Sequence, residues 1–426
     1  MVSTAYVKLW GKRIGAVAWD EKHQMAFFEY DPKFLQSKLA IAPIKMPLDN
    51  RIFSFPDLRG VPTFKSLPGL LADVLPDRYG NDLINIWLAQ NGRPEGSLNP
   101  VELLCFIGSR GMGALEFEPS IAPFTKTHTL ELSSLIETTQ KLLNNKEAFR
   151  VHTDHEMRDV LLEVLKMGTS AGGARPKAII AYNEKTGEIR SGQTLSKDFE
   201  HWLLKFDGVN DTQFGASHGF GRVEMAYYKM ATSAGLEMME SRLIEEEGRA
   251  HFMTKRFDRI GDNQKLHTQT LCAIAHYDFN QILSYSYEQL FQTMRLLKLT
   301  YAEAEQMFRR MVFNVLAKNC DDHTKNFAFL MYPDGKWTLA PAYDICFAYR
   351  PDSDWVSQHN LSINGKRANI TKEDLLTIAK QNTIRKPEQI IDEVQVSISD
   401  WLQYASQFNV DKNLAFAIDA TLIKNL

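Results

Sequence analysis

The sequence has few cysteines, and they lie far apart. Its 426 residues contain only Cys105, Cys272, Cys320 and Cys346, and none of them forms a CxxC pair. This spacing excludes a zinc ribbon and a small disulfide-stapled scaffold. A reducing compartment fits such isolated thiols best.

Long apolar runs are also missing. No stretch of about 18 apolar residues occurs, which excludes an obvious transmembrane helix. Residues 1–14 carry Lys8, Lys12 and Arg13 among short apolar pieces and lack the apolar core of a signal peptide. We therefore expect a cytoplasmic protein that does not enter a membrane.

A large charge of one sign is absent as well. The 49 Lys and Arg residues against 52 Asp and Glu residues leave a net charge of −3. Such a chain offers no general cationic field to DNA or RNA, so a nucleic-acid role needs a partner protein or a local basic patch. The 44% hydrophobic fraction is typical of a globular protein, and the length allows two or three domains of roughly 150 residues each.

The periodicity of apolar residues changes along the chain. Residues 5–10, 15–19 and 25–30 predict short strands, and 177–182 and 201–206 predict two more in a mixed middle region. Helical patterns lie at 83–88, 130–143 and 155–167, and they dominate from Ser286, at 287–297, 300–317, 372–379 and 389–408. Pro119, Pro123 and a Thr-rich stretch mark a boundary. These patterns predict an α+β protein with a β-rich front and a helical back.

The most informative stretch is Asn319-Cys-Asp-Asp-His-Thr-Lys-Asn-Phe327. It follows a helix whose start is indicated by the capping box Thr300-x-x-Glu303, so its polar residues fall on a loop held by a rigid element. Asp321 and Asn326 have the Asp-x4-Asn spacing of the protein-kinase catalytic loop, which supplies a base and a magnesium-binding Asn. An Asp- and Asn-rich turn before a hairpin is the structural alternative.

A hairpin directly after this loop brings in a second carboxylate. Apolar runs flank Asp334-Gly335, and a two-residue turn there would place Asn326 opposite Tyr343 and return Asp344 to the loop. Oxygen ligands that converge in this way suit Mg²⁺ together with substrate phosphate oxygens. His323 lies within the loop and is expected to brace it by hydrogen bonds.

A glycine-rich segment in the middle region is the candidate phosphate loop. The segment 168–177 reads Gly-Thr-Ser-Ala-Gly-Gly-Ala-Arg-Pro-Lys, with Ala174 where a Walker motif needs Lys, so a P-loop NTPase is disfavoured. A kinase-type glycine loop stays open, because glycines let backbone N–H groups approach phosphate oxygens, and so does a purely structural turn. Lys205 lies on the predicted strand 201–206, and its side chain points to the face opposite Trp202 and Leu204. It matches the kinase lysine that pairs with nucleotide phosphates.

In combination, these residues resemble the HipA toxins of bacterial type II toxin–antitoxin modules, which are serine/threonine protein kinases. The resemblance extends from about Tyr6 to Tyr349. Its motifs are Leu70-Leu-Ala-Asp-Val-Leu-Pro-Asp-Arg-Tyr-Gly80, Arg110-Gly-Met-Gly-Ala-Leu115, Ser170-x-x-Gly-Ala-x-x-Lys177, Arg256-Phe-Asp-Arg259, Asp321-x-His-x-Lys-Asn326 and Tyr343-Asp-Ile345.

The resemblance implies a role for each matching position. Asp321 is implied as the catalytic base, Asn326 and Asp344 as Mg²⁺ ligands, and Ser170 as an autophosphorylated serine. The implied ATP-binding residues are Ser170, Gly172, Gly173, Ala174, Lys177, Lys205, Thr254, Lys255, Phe257, His323 and Lys325. Those from Thr254 to Phe257 form the adenine hinge, in which Lys255 replaces an acidic residue of the best-known member. A serine that only caps its turn is the alternative for Ser170.

The resemblance also implies partners and a domain plan. It predicts ATP and Mg²⁺ as cofactors, a HipB-like helix-turn-helix antitoxin that provides contact with operator DNA, and a protein target, possibly an aminoacyl-tRNA synthetase such as glutamyl-tRNA synthetase. It predicts a two-lobed kinase-like fold with a β-rich N-terminal subdomain at 1–118, an ATP-binding lobe at 119–256 and an α-helical C-terminal lobe at 257–426. A nucleotide-binding regulator that mainly holds a DNA-binding antitoxin, or a small-molecule kinase, are the alternative functions.

Overall fold

The computed structural model describes residues 2–122, 129–130, 136–137, 139, 162, 164–168, 176–191, 198–208, 219–246, 248–261 and 264–426. They form two compact units. The first unit comprises residues 1–41, 46–218 and 242–268, and the second comprises 42–45, 219–241 and 269–426. Strands Arg249–Lys255, Arg259–Ile260 and Gln264–Lys265 belong to the first unit, whereas helix Phe220–Ser233 belongs to the second.

The first unit begins with a four-stranded antiparallel sheet. Its strands, in spatial order, are Met25–Tyr30, Lys12–Asp20, Thr4–Leu9 and Leu115–Glu118. The three predicted strands are confirmed, and their alternation buries Val7, Val17 and Phe28 completely. Helix Pro100–Ile107 packs on this sheet and starts with an Asn99–Glu102 capping box. Helix Arg78–Gln90 contains the predicted helical stretch 83–88. Short helical turns lie at Pro32–Leu35, Pro56–Leu58 and Gly69–Ala72.

A second sheet of six strands lies in the mixed middle region. Its order is Thr129–Leu130, Ile189–Arg190, Lys177–Tyr182, Glu200–Lys205, Arg249–Lys255 and Ser241–Glu246. The strands predicted at 177–182 and 201–206 are confirmed. Trp202, Leu204 and Phe206 are buried, whereas Leu203 and Lys205 are half-buried. This alternation is the period of two that a strand gives. The helices predicted at 130–143 and 155–167 fall largely outside the described residues.

The second unit is mainly helical. Its helices are Phe220–Ser233, Leu271–Ala275, Tyr287–Leu296, Tyr301–Leu316, Lys372–Gln381, Pro387–Ser399, Trp401–Gln407 and Lys412–Asp419. The prediction of a single helix at 389–408 is wrong, because one helix ends at Ser399 and another begins at Trp401, with Asp400 between them. The break turns Trp401 into the core, where its ring packs 5.1 Å from that of Tyr227 and its indole N–H donates to the carbonyl of Ala415.

The hairpin after the polar loop has a different register from the predicted one. Strands Ala328–Met331 and Trp337–Leu339 pair Leu330 with Thr338, whereas a two-residue Asp-Gly turn would pair Leu330 with Leu339. The loop holds three residues because Gly335 takes a left-handed conformation, with φ 85°, after Pro333 and Asp334. The remaining short strands are Arg259–Ile260, Gln264–Lys265, His267–Thr270, Tyr285–Ser286 and Leu361–Ser362. Among the described residues, no helix has the length and apolar character needed to span a bilayer.

Candidate active site

The polar loop is presented by a buried helix of the second unit. Helix Tyr301–Leu316 begins with the predicted Thr300–Glu303 capping box, and Met307, Met311 and Val312 of its apolar stripe are fully buried. The helix ends at Ala317, and a bridge between Asn319 and Ala348 ties the start of the loop to a neighbouring segment. The start of the loop is therefore held in place by the buried helix and by this bridge.

Asp321 stands among aromatic side chains. Its Oδ1 accepts a hydrogen bond from the indole N–H of Trp355 at 2.6 Å, and His323 Nε2 lies 3.7 Å from the same oxygen. The surrounding protein desolvates the carboxyl and raises its pKa, although the side chain keeps partial access to solvent. His323 and the Trp355 hydrogen bond oppose this rise, while the charges of Asp344 and Asp322 add to it.

The predicted metal ligands lie beside this carboxylate. Asn326 ends a short 3₁₀ turn, Thr324–Asn326, and its amide nitrogen donates to the Asp321 carbonyl at 2.7 Å. The Tyr343 hydroxyl donates to the Lys325 carbonyl at 2.6 Å, so the chain that follows the hairpin returns to the loop. Asp344 comes next, in a left-handed conformation with φ 51°. The structure thus brings Asp321, Asn326 and Asp344 together despite the changed hairpin register.

His323 braces the loop by packing. Its ring centroid lies 5.3 Å from that of Phe279 and 5.9 Å from that of Trp355. The expected hydrogen-bonded brace is not observed, since Nδ1 of His323 is buried and finds no hydrogen-bond partner among the described residues. The ammonium of Lys325 lies 4.7 Å from the centre of the Phe279 ring.

Asp322 anchors the loop from inside the core. Its carboxylate accepts from the Tyr287 hydroxyl at 2.9 Å, the Asn360 backbone N–H at 2.7 Å and His359 Nδ1 at 3.0 Å. Burial alone would lower the pKa of His359, but the Asp322 carboxylate outweighs it and, with hydrogen bonds to Asp322 and Cys320, raises that pKa to about 10. Asp322, the residue next to Asp321 in the sequence, thus holds the buried imidazolium of His359 in place.

Two predicted phosphate-binding lysines face each other in the first unit. Lys177 and Lys205 are direct partners in the antiparallel pair Lys177–Tyr182 and Glu200–Lys205. Lys177 is buried and Lys205 half-buried, with its ammonium 5.7 Å from the centre of the Phe252 ring. Two cationic side chains directly opposite on one sheet face repel each other. The register thus places two basic side chains at the same end of the sheet.

The expected adenine hinge begins inside a strand. Thr254 and Lys255 end strand Arg249–Lys255 and pair with Leu203 and Trp202, and the ammonium of Lys255 forms an ion pair with Glu200. The charge of Lys255 is therefore paired with the Glu200 carboxylate. Phe257 lies just after the end of the strand. Their contact with adenine stays a prediction.

Most of the glycine-rich segment lies outside the described residues, including Ser170, Gly172, Gly173 and Ala174. Gly168 lies among the described residues and packs closely against Leu83 and Tyr79. A Cβ added there would lie 2.7 Å from Leu83 Cδ1 and 3.0 Å from a ring carbon of Tyr79. Gly168 therefore lets its helical turn pack against helix Arg78–Gln90.

The motif Arg110-Gly-Met-Gly-Ala-Leu115, a second glycine-rich segment, contacts the motif Arg256-Phe-Asp-Arg259. Asp258 is completely buried, pairs with Arg256 and Arg259 at 2.7 Å each, and accepts the Gly113 N–H at 2.6 Å. Gly111 must be glycine, because an added Cβ would lie 2.3 Å from a methyl carbon of Val74. Both motifs thus join the N-terminal subdomain to the strands of the six-stranded sheet.

Family models match both parts of the chain. A model described as the HipA-like C-terminal domain matches residues 169–402, and one described as the HipA N-terminal domain matches residues 5–118. The chain belongs to the HipA family. The resemblance drawn from the sequence motifs is therefore confirmed, and so is the α+β kinase-like fold with an added N-terminal subdomain.

Two comparisons, both with HipA from Shewanella oneidensis, support this assignment. A curated relative named "Serine/threonine-protein kinase toxin HipA" is 22% identical over 352 residues, which are 78% of this HipA-family chain and 72% of the relative. A solved structure of a toxin–antitoxin complex of HipA, HipB and operator DNA matches with a TM-score of 0.66 and 19% identity, covering 98% of this chain and 94% of the solved one. At that identity the structural match shows the fold.

Sequence reasoning missed several residues of this HipA-family site. Trp355, His359 and Asn360 contact the loop from a polar segment that carries no motif, and Asp322 was passed over beside Asp321. Sequence separation explains the omission, because the Trp355 and Asp321 contact spans 34 positions. The segment Asp352-Ser-Asp-Trp-Val-Ser-Gln-His-Asn360 has no apolar periodicity that could have revealed the contact.

Proposed function

We propose that Asp321 is the catalytic base in the serine/threonine protein kinase reaction of this HipA-family toxin. Asp321 takes the proton of an acceptor hydroxyl, the hydroxyl oxygen bonds to the γ-phosphorus of ATP, and the bond from that phosphorus to the β–γ bridging oxygen breaks to release ADP. The observation that carries this proposal is that Asp321, Asn326 and Asp344 lie close together at one loop of the second unit.

Asn326 and Asp344 would hold Mg²⁺. Their donor set is one amide oxygen and one carboxylate, and the hydrogen bond from the Asn326 amide nitrogen to the Asp321 carbonyl leaves the amide oxygen for a cation. No group of three or more His, Cys, Asp or Glu side chains suited to a metal occurs in the part of the chain that is described. This sparse set fits Mg²⁺, which completes its shell with water and phosphate oxygens. When bound, the ion neutralises negative charge on the phosphate groups.

Lys177 and Lys205 would bind the phosphates of ATP. Their direct pairing supports this role, because it places two basic side chains next to each other on one sheet face. Gly172, Gly173 and Ala174 would supply backbone N–H groups to the same phosphates. Thr254, Lys255 and Phe257 are proposed to line the adenine, and His323 and Lys325 to lie near the transferred phosphate.

Incubation with ATP and Mg²⁺ followed by intact-mass measurement tests this function. We expect the chain to gain one phosphate, about 80 Da by the mass of an added HPO₃ group, through autophosphorylation of Ser170. Tight ATP binding without any phosphate gain would instead indicate a nucleotide-binding regulator. Phosphate transfer to small metabolites but not to a protein would indicate a small-molecule kinase.

The partner is proposed to be a HipB-like helix-turn-helix antitoxin. The net charge of −3 supports indirect contact with operator DNA, and the solved HipA relative was determined with HipB and operator DNA. Gel shifts at low salt should show firm operator binding only when the antitoxin is added. Tight sequence-specific binding by this chain alone would contradict the charge argument.

The protein target and the compartment complete the proposal. We infer from the family resemblance that the target is a protein, with an aminoacyl-tRNA synthetase such as glutamyl-tRNA synthetase as the first candidate. A cytoplasmic location follows from such a target and agrees with four free cysteines. Phosphorylation assays on purified synthetases test the choice of target directly.

A further inference from the structure

One side chain outside every motif makes a direct hydrogen bond to the proposed base. Trp355 Nε1 donates to Asp321 Oδ1 at 2.6 Å. Such a hydrogen bond to a carboxylate is about twice as strong as one between neutral groups. Trp355 thereby occupies one of the two oxygens, and no described residue donates a hydrogen bond to the other oxygen, Oδ2.

The backbone around Trp355 is fixed by a short polar turn. The buried Ser353 hydroxyl accepts from the backbone N–H groups of Trp355 and Val356, each at 3.2 Å. The Trp355 ring packs edge-on at 6.3 Å from Phe279 and at 5.9 Å from His323, measured between ring centroids. The indole is therefore held by its own turn and by two neighbouring rings.

Asn360 ties this turn to both sides of Asp321. Its side-chain amide donates to the Trp355 carbonyl at 3.2 Å and to the Cys320 carbonyl at 3.0 Å, and its backbone N–H donates to Asp322 at 2.7 Å. The residues before and after Asp321 are thus linked to the segment that carries the indole. The hydrogen bonds of Asn360 therefore set the position of the Trp355 indole relative to the Asp321 carboxylate.

We propose that Trp355 is a positioning residue that holds the Asp321 carboxylate so that Oδ2 faces the acceptor hydroxyl. This inference rests on the proposed function of Asp321. With Oδ1 fixed by the indole, the carboxylate cannot rotate freely about its last bond, and proton transfer needs the base within hydrogen-bond reach of the acceptor. Loss of the indole N–H should therefore slow the chemical step without weakening ATP binding.

Trp355→Phe tests the inference, since phenylalanine keeps ring packing and removes the donor. Transfer of ³²P from γ-labelled ATP to the chain itself and to dephosphorylated casein gives the rate. We expect the maximal rate to fall about tenfold, as loss of one hydrogen bond to a charged group implies, with KM for ATP unchanged within about twofold. Ser353→Ala, which keeps the indole but removes its turn, should give a smaller fall of the same kind.

Trp19→Phe is the matched control. Trp19 also donates its indole N–H to a carboxylate, that of Glu21 at 2.8 Å, but on the exposed surface of the N-terminal sheet. This variant should keep the wild-type rate. An unchanged rate in both Trp355→Phe and Ser353→Ala, or a change in KM alone, would overturn the positioning role.

The geometry can be tested without activity. In ¹H–¹⁵N spectra, the indole signal that disappears in Trp355→Phe should shift upfield in Asp321→Ala, because the hydrogen bond is lost. An unmoved signal would overturn the inference whatever the kinetics. If Asp321→Ala retained near-normal transfer, the proposed function itself would fail, whereas an inactive Asp321→Ala beside a fully active Trp355→Phe would remove only the role of Trp355.

Discussion

The Asp258 carboxylate accepts the backbone N–H of Gly113 at 2.6 Å, across 145 positions of the chain. Arg256 and Arg259 enclose the same carboxylate, and none of the three side chains is more than 7% exposed. Burial would raise the pKa of Asp258, but the two guanidinium groups hold it below its usual value. The N-terminal subdomain and the six-stranded sheet are therefore joined by a buried ion cluster.

Removal of Asp258 should destabilise the first unit strongly. Asp258→Ala leaves two buried guanidinium groups and the Gly113 N–H without their acceptor, so we expect the free energy of unfolding to fall by about 3–5 kcal/mol. Urea denaturation measures this change. Glu118→Ala, which breaks an exposed pair with Lys8 in the same subdomain, should cost less than about 1 kcal/mol. Equal effects of the two variants would show that the buried cluster contributes little.

Asp321→Ala and Asp344→Ala should each abolish most phosphate transfer while the protein stays folded. Loss of a general base typically costs about 10²–10⁴ in rate, and loss of the Asp344 carboxylate removes a proposed metal ligand. Labelled-phosphate transfer and circular dichroism measure the two properties. Asp334→Ala, in the exposed hairpin loop, is the control and should remain active. Near-normal transfer by either site variant would contradict its assignment.

Lys205→Met should weaken ATP binding. The substitution keeps a long side chain and removes one of two opposed ammonium groups, so we expect the dissociation constant for ATP to rise about tenfold, as the loss of one charge-assisted contact implies. Isothermal titration calorimetry measures it. Lys185→Met is the control, because Lys185 is largely exposed on a turn of the same unit. The phosphate role is wrong if both variants bind ATP like the wild type.

His359 should make the stability depend on pH. Its pKa in the folded state is about 10, above the ordinary value near 6.5, so its stabilising charge is fully present below about pH 6.5 and is lost as the pH rises toward 10. Between pH 7 and 9, the free energy of unfolding should fall by about 1 kcal/mol per pH unit more in the wild type than in His359→Gln.

Chemical denaturation at several pH values measures these slopes. His23→Gln, which removes an exposed pair with Asp20, should keep the wild-type slope. Identical slopes for the wild type and His359→Gln would show that His359 is not held as an imidazolium.

Phosphorylation of Ser170 should switch the kinase off. A phosphoserine adds a charge of about −1.5 to −2 where the glycine-rich loop is proposed to meet ATP phosphates, so repulsion should lower ATP affinity and activity. Transfer between two molecules is the expected route, because a serine under its own γ-phosphate is hard to reach. ATP binding by the phosphorylated protein, with Ser170→Ala as control, measures the effect. Equal affinity and activity would leave Ser170 as a turn-capping residue.

Local sequence patterns determined much of this protein. The strand at Met25–Tyr30, the strand at Lys177–Tyr182 and the capped helix Tyr301–Leu316 lie where periodicity and capping placed them, because these signals come from neighbouring residues. The spacing of Asp321 and Asn326 likewise predicted the loop that we propose to be catalytic. The sequence motifs also identified the family, which the family models confirm.

Tertiary structure decided what depends on distant contacts. The helix break at Asp400 accompanies the burial of Trp401, and the hairpin register follows from the left-handed Gly335, which an Asp-Gly pair does not specify. The indole of Trp355 meets Asp321 only after the chain has folded back over 34 positions. Such contacts depend on packing among segments far apart in sequence, so no local pattern could have revealed which side chain holds the proposed catalytic carboxylate.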